Sequence, residues 1–257
     1  NMANVYYSGQ GKLYVAERNE TTGAAKGFIA VGNVPELTLN IETSKLEHKE
    51  SESGQRLTDL AIVTEKKGSF EFKLENLDLD NLALGLWGTA VSVVGGSVSA
   101  GTPDVVAIPM GGAGRRYALA HPNVTSVVVK DATDVTTYVL GTDYTIDAEN
   151  GVVIIPLTGA IATAATGAAI TIKCSYTYAG YKKMDAFTQG SAPTRWLRFE
   201  GINTVDGTSV IIDLFKAQFD PTTGYQLITE ELASVVMKGA LLSDSTKVTG
   251  SKFFRQI

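Results

Sequence analysis

The two histidines and the single cysteine are the residues of this sequence best suited to metal binding or nucleophilic catalysis. His48 lies in a charged stretch and His121 precedes a proline, and isolated histidines make a poor zinc site because zinc needs several ligands at once. Cys174 lies on the apolar face of an alternating run, with no basic neighbour to favour its thiolate form. The sequence therefore favours solvated loops for both histidines and a small buried side chain for Cys174.

Two loops have the residue types of ligand sites but lack the necessary spacing. Gly111–Arg116 is glycine-rich, yet it lacks the Gly-Lys-Ser/Thr ending of a phosphate loop and no predicted helix follows it. The acidic residues Asp143, Asp147 and Glu149 do not have the spacing of an EF-hand loop. Because no set of titratable groups converges, we predict that the protein is not an enzyme and that it holds neither a metal nor a cofactor.

The composition limits the class of protein. The chain has 257 residues, of which 44% are apolar, so it is not disordered and forms one large domain or two smaller ones. Its net charge of −5 argues against a basic nucleic-acid clamp. The single cysteine excludes an internal disulfide framework and suits a reducing compartment. We expect no secretory signal and no membrane contact, because no apolar run approaches the roughly 20 residues of a membrane helix.

Short alternating runs bounded by glycine and threonine predict a mainly β protein, organised around residues 34–88. A strand with apolar Leu37 and Leu39 and a second with Phe70 and Phe72 each present one apolar face. A helix follows, capped by Asn76 or Asp78 and ended by Gly88. Between the strands lies an arm, Thr43–Asp59, predicted as an exposed loop with both charge signs. Its polar candidates are Lys45, Glu47, His48, Lys49, Glu50, Glu52, Arg56 and Asp59.

A different pattern of short strands fills the middle of the chain. Val135–Leu140 is predicted as a strand, Glu149–Gly151 as a hairpin turn, and Ile170–Tyr178 alternates most regularly. Strands at this spacing predict a small Ig-like β-sandwich. We place this inserted domain at residues 103–182, which leaves a discontinuous main domain of residues 1–102 and 183–257.

The run from the arm through the second strand to the helix resembles the tail tube proteins of long-tailed bacteriophages. The end of the chain is similar to them too: Phe219-Asp220-Pro221 precedes a predicted strand at 235–242, and Gly250–Arg255 follows it. The resemblance implies a mainly β tail-tube fold of two packed sheets with a flanking helix. It also implies a structural protein that self-assembles into stacked hexameric rings, the conduit for DNA ejection into the host.

The resemblance also implies roles for particular residues and partners. The arm would reach neighbouring subunits, and the inserted sandwich would lie outside the ring because its bulk does not fit a lumen. DNA would pass through the lumen without specific binding, along acidic side chains of the polar strand faces, namely Glu36, Glu42, Glu71 and Glu75. The expected partners are further copies of the chain, together with terminator, tape measure and distal tail proteins. The expected location is the virion tail, after assembly in the host bacterial cytoplasm.

Two alternatives stay open at the level of sequence. The tube of a contractile injection or secretion system has the same expected features. A β-sandwich adhesin or carbohydrate-binding virion module would instead use an exposed aromatic platform, for which Tyr176, Tyr178 and Tyr181 are the candidates.

Overall fold

The computed structural model describes residues 6–257, and the prediction of a mainly β protein is confirmed. The first part of the chain contains β1 (Gly9–Ala16), β2 (Ile29–Ala30), β3 (Glu36–Lys49), β4 (Thr58–Leu74), α1 (Leu79–Gly85) and β5 (Thr89–Val93). The middle contains β6 (Gly96–Val98), β7 (Asp104–Ile108), β8 (Arg116–Ala118), β9 (Val124–Asp131), β10 (Thr145–Asp147), β11 (Val152–Ile154), α2 (Ala160–Gly167), β12 (Ile170–Tyr178) and β13 (Tyr181–Asp185). The last part contains β14 (Thr194–Asn203), β15 (Ser209–Phe219), β16 (Val235–Leu241) and β17 (Phe254–Gln256).

The chain divides into two compact units, each with its own apolar core. Unit 1 consists of the stretch up to Ala90 and the stretch from Met184 onward, and unit 2 is Val91–Lys183. The sequence predicts that the middle domain starts at residue 103, about a dozen residues after the first residue of unit 2. The difference arises from β6, which contains no alternating run of its own but pairs with the end of β12 in unit 2.

Unit 1 is built on one antiparallel sheet of eight strands rather than on the two packed sheets that the resemblance implies. The strand order is β2-β1-β14-β15-β16-β4-β3, and β17 also pairs with β15. Leu13 on β1 and the pair Leu37 and Leu39 on β3 come from opposite ends of this order, yet they belong to the same core. The sheet therefore curls around that core, at whose centre the rings of Phe70 and Phe219 meet edge to face at 5.0 Å.

The predicted helix after β4 is confirmed, and its two ends show how the sequence sets its length. The Asp78 carboxylate accepts a hydrogen bond from the Asn81 amide at 2.9 Å, which satisfies one free N–H of the first turn. At the other end the Gly88 amide donates to the Ala83 carbonyl at 2.7 Å. The left-handed residue of this helix end is Trp87, with φ of 50°, rather than a glycine. Its indole N–H donates to the Phe219 carbonyl at 3.0 Å, which fixes the ring on β15.

Unit 2 contains a four-stranded sheet, a three-stranded sheet and a helix that the sequence does not predict, and β5 pairs with β13 where the chain enters and leaves the unit. In one sheet β12 pairs with β6 and β7 along one edge and with β9 along the other, and the second sheet has the order β10-β11-β8. The unpredicted helix, α2, has Gly159 at its N-cap and no side-chain cap of its own. Asp143, sixteen residues upstream of that glycine, accepts from the Ala160 amide at 2.7 Å and so provides the missing cap. A cap supplied by a distant residue leaves no local sequence signal.

The hairpin turn predicted at Glu149–Gly151 is confirmed, because β10 and β11 pair across it and Gly151 has φ of 62°. The strand predicted at Val135–Leu140 is wrong. Only isolated bridges occur there, from Thr137 to Lys130 and from Leu140 to Tyr144. The Asp131 carboxylate accepts from the Thr136 amide at 2.8 Å, so a side chain takes the backbone donor that a strand ladder would need.

Candidate assembly surface

The most unusual surface of unit 1 is the arm, which is a β-ribbon and not the loop that the sequence predicts. β3 and β4 stay paired as far as Lys49 opposite Thr58, so that only the residues between these two form the turn. Nearly every residue from 40 to 67 is exposed, whereas β4 becomes buried from Phe70 onward. The loop prediction fails because cross-strand pairing extends through charged residues when enough strand-forming neighbours lie opposite them. Below, "arm" means the whole exposed ribbon, residues 41–67, which is longer than the predicted loop Thr43–Asp59.

Three large apolar side chains lie together on one face of the arm. Leu46 lies opposite Ile62 and the next pair on that face includes Leu60. Their exposed fractions are 62%, 49% and 52% respectively, in a ribbon that has solvent on both faces. An isolated two-stranded ribbon is only marginally stable in water, and a ribbon with apolar side chains gains stability when another surface covers it. We call these three residues, Leu46, Leu60 and Ile62, the apolar stripe.

A single carboxylate organises the tip of the arm. The Glu50 side chain accepts hydrogen bonds from the backbone amides of Glu52 at 2.7 Å, Ser53 at 2.9 Å and Leu57 at 3.2 Å, as well as from the Ser53 hydroxyl. These bonds, led by the one from the Ser53 hydroxyl, lower the pKa of Glu50 to about 2. Glu50 is predicted to contact another subunit, but its carboxylate is hydrogen-bonded within its own turn.

We expect Glu50→Gln to loosen the tip while the rest of unit 1 keeps its fold. An amide is a weaker acceptor than a carboxylate, so the amides of Ser53 and Leu57 should exchange hydrogen faster, and hydrogen-exchange mass spectrometry measures this. The pKa of Glu50 is lower in the folded state, so the carboxylate stabilises the tip fully above pH 4.5 and loses that effect as the pH falls toward about 2. Glu47→Gln, on β3 and three residues before Glu50, is the control. Equal exchange in wild type and Glu50→Gln would contradict the assigned role.

The other charged residues of the arm are only partly paired. His48 Nδ1 lies 2.6 Å from Asp59 Oδ1 across the ribbon. Lys45, Lys49 and Arg56 have no acidic partner anywhere in residues 6–257. The arm therefore presents unpaired cations beside exposed apolar side chains, which is a combination suited to binding a surface that is both apolar and acidic.

The face predicted to be acidic carries both charge signs. Three of its four glutamates, Glu36, Glu42 and Glu71, lie on the strand faces that point away from the core, and Glu75 follows directly after β4. The strand register, however, places Lys73 opposite Glu36 and Lys67 opposite Glu42. The Glu75 carboxylate accepts from the Asn33 side chain at 2.6 Å. Alternation along each strand is evident from the sequence, whereas the identity of the cross-strand neighbour depends on register.

The remaining loop and carboxylate candidates have structural roles. In the glycine-rich loop the amides of Gly111 and Gly114 donate to carbonyls of Ala165 and Ile155, both at 2.8 Å, so they are not free to bind an anion. The three acidic residues considered for calcium do not come together. One caps α2 as described above, and the carboxylate of Asp147 pairs with Arg116.

The nucleophile and aromatic-platform candidates of unit 2 are packed side chains. Burial raises the pKa of the Cys174 thiol to about 12, which keeps it protonated. Tyr176 is buried, and Tyr178 stacks on His121 with ring centroids 3.7 Å apart. The His121 ring also contacts the hydroxyl of Tyr181 at 3.1 Å. The three tyrosines therefore surround a histidine instead of forming an open platform.

In residues 6–257 no three His, Cys, Asp or Glu side chains lie close enough together to hold a metal ion. Neither helix in that range has the length and apolarity that crossing a bilayer requires.

One set of exposed apolar side chains is not predicted from the sequence. The segment joining β15 to β16 carries Leu227, Ile228 and Leu232, whose exposed fractions are 79%, 96% and 90%. Leucine and isoleucine are normally taken as core residues, and nothing in the local sequence marks these three as exposed. Their position in a 15-residue connection between strands is the signal that could have identified them.

Comparison with known proteins gives a partial relative and a family. The tail sheath protein of Burkholderia phage BcepMu is 42% identical to this chain over 71 residues, which is 28% of this chain. The match spans only 14% of that phage protein. A family model described as "Protein of unknown function UCP028589" matches residues 6–257. The chain therefore belongs to this family.

Proposed function

We propose that this chain is a structural protein of a phage tail that self-assembles into the tail tube, as six-membered rings stacked around a central channel. The observation that carries the proposal is the arm, an exposed β-ribbon with an apolar stripe that no part of its own unit covers. The relative named tail sheath protein supports the coarser part, a structural role in the virion tail. The resemblance of residues 34–88 to tail tube proteins supports the finer part.

The open edge of the sheet supports assembly side by side. β3 is the last strand in the order of the unit 1 sheet, so the outer backbone groups of Glu36–Lys49 have no ladder partner among residues 6–257. A long exposed edge tends to pair with another strand, and ring closure removes the edge by pairing it with the next copy. Once one contact forms, each further contact in a ring becomes intramolecular, so weak contacts add up to a stable assembly.

The tube would carry DNA without binding it. The net charge of −5 disfavours adhesion to phosphate. We assign Glu36, Glu42, Glu71 and Glu75 to the lumen side. On that face Lys73 lies opposite Glu36, and Lys67 pairs with Glu65 at 3.0 Å, so both lysines lie beside carboxylates that would compete with phosphates for them. In this proposal the protein does no catalytic work. Its partners are its own copies and the terminator, tape measure and distal tail proteins.

Negative-stain electron microscopy of the purified, concentrated protein tests this function. We expect hollow rods or six-membered annuli with a central channel. Analytical ultracentrifugation across a range of concentrations gives an independent measure, with a cooperative shift from monomer to large species expected. A compact solitary particle at every concentration and ionic strength would overturn the proposal.

A further inference from the structure

The connection between β15 and β16 is a second exposed apolar surface, at a different place in unit 1 from the arm. We call residues 225–232 the apolar–acidic loop, because its apolar side chains Leu227, Ile228 and Leu232 flank Glu230 and Glu231. Neither of these two carboxylates has a cationic partner among the described residues. A surface that exposes apolar groups almost completely, beside unpaired acids, is complementary to one that is apolar and basic.

The arm has such a surface on the face opposite its apolar stripe. This basic face continues the core-facing side of β3 and β4 and carries Ile41 and Val63, which are 63% and 46% exposed. Lys45 lies opposite Val63, and Lys66 is on the same face, opposite Thr43. Neither lysine has an acidic partner among residues 6–257. The only acid on this stretch of the face is Glu47, which lies farther toward the tip.

Ile228 in the loop cannot reach Val63 on the basic face within one molecule. The apolar–acidic loop leads into β16, whose first residue, Val235, pairs with Leu74 at the end of β4. Val63 lies eleven residues earlier on the same strand, which corresponds to roughly 36 Å at the rise of a β-strand. The start of the connection is also held near α1, because the Thr222 amide donates to the Gly85 carbonyl at 2.7 Å. A contact between Ile228 and Val63 therefore joins different copies.

We propose that the apolar–acidic loop of one copy docks on the basic face of the arm of the next copy. Glu230 and Glu231 would face Lys45 and Lys66, while the apolar side chains of the loop cover Ile41 and Val63. Because the two surfaces are different, the contact is heterologous and repeats from copy to copy along the direction of β4. This inference rests on the proposed function, because it assigns a contact between neighbouring copies in the assembled tube. Fixed charge pairs across the contact set its register.

Cysteine cross-linking tests the contact directly. The native protein has one cysteine, Cys174, which is buried in unit 2 and so does not react. We expect a mixture of Ile228→Cys and Val63→Cys proteins, assembled and mildly oxidised, to give disulfide-linked dimers. The protein with both substitutions should give a ladder of higher multimers, since each copy then forms two links. Each single variant alone should give neither product.

A charge exchange tests the same contact without the geometric demands of a disulfide. Glu230→Lys with Glu231→Lys, or Lys45→Glu with Lys66→Glu, should each raise the concentration needed for assembly by about tenfold or more. All four substitutions together should restore assembly toward wild type, because opposite charges face each other again. Glu149→Lys, at an exposed glutamate of unit 2, is the control for replacing a surface glutamate by lysine and should leave the concentration needed for assembly unchanged.

The outcomes separate this inference from the proposed function. Wild-type rods with no cross-linked dimers and no rescue by the fourfold exchange would overturn the docking inference and leave the tube intact. Absence of rods in the wild type would overturn the function itself. Dimers from the mixed single variants, together with rescue, would establish the contact.

Discussion

A variant in which the apolar stripe is made polar, Leu46→Thr with Leu60→Thr and Ile62→Thr, is expected to stay folded and to lose assembly. Each of these side chains is about half exposed in the single copy. Covering the exposed half of one side chain therefore stabilises the contact by about 1 kcal/mol. Three such losses weaken each contact by about 3 kcal/mol, or roughly a hundredfold. Threonine keeps the preference for a strand, so the ribbon itself should persist.

Electron microscopy and sedimentation measure the loss of rods, and the emission of the two tryptophans reports folding. The matched control replaces three exposed valines of unit 2, Val105, Val128 and Val135, with threonine. This control should assemble like the wild type. Rods of normal length from the arm variant would show that the stripe has no part in assembly.

Phe70→Ala is expected to produce the largest loss of stability. The ring is 1% exposed and lies among Phe72 and Phe219, with its centroid 5.0 Å from that of Phe219. Removing a buried aromatic ring leaves a cavity, and such changes cost about 3–5 kcal/mol. Because β4 carries both this ring and the arm, the same substitution should also reduce assembly.

The free energy of unfolding can be measured by urea titration below the concentration at which rods form. Both tryptophans, Trp87 and Trp196, lie in unit 1, so their fluorescence follows this unit alone. Ile62→Ala, on the same strand but 49% exposed, is the control and should cost less than about 1 kcal/mol. A Phe70→Ala loss no greater than that of the control would contradict the packing described here.

Much of the framework could be predicted because it depends on neighbours in sequence. Alternation of Leu37 with Leu39 and of Phe70 with Phe72 predicts two half-buried strands, and both form. Asn76 or Asp78 before an apolar helical run predicts a helix start there, and Asp78 is the cap that forms. The helix α2 could not be predicted, because its cap is provided by Asp143 from another part of unit 2.

The sequence predicts where the candidate surface lies but not which kinds of side chain it exposes. The charged residues of Thr43–Asp59 predict an exposed segment, and nearly all of these residues are exposed. The sequence treated it as a polar loop, because Leu46, Leu60 and Ile62 are too far apart in the chain to be recognised as one group. Only the register of β3 with β4 brings them to one face.

The sequence by itself determined the mainly β class, the central pair of strands with its helix, and the position of the exposed arm. These follow from the two periodicities of strands and helices, which act over a few residues. The tertiary structure decided the single curled sheet, the lysines opposite two of the glutamates, and the apolar–acidic loop at the far end of β4 from the arm. Each of these depends on which strands pair and in which register, and pairing between distant segments is set by how the whole chain packs.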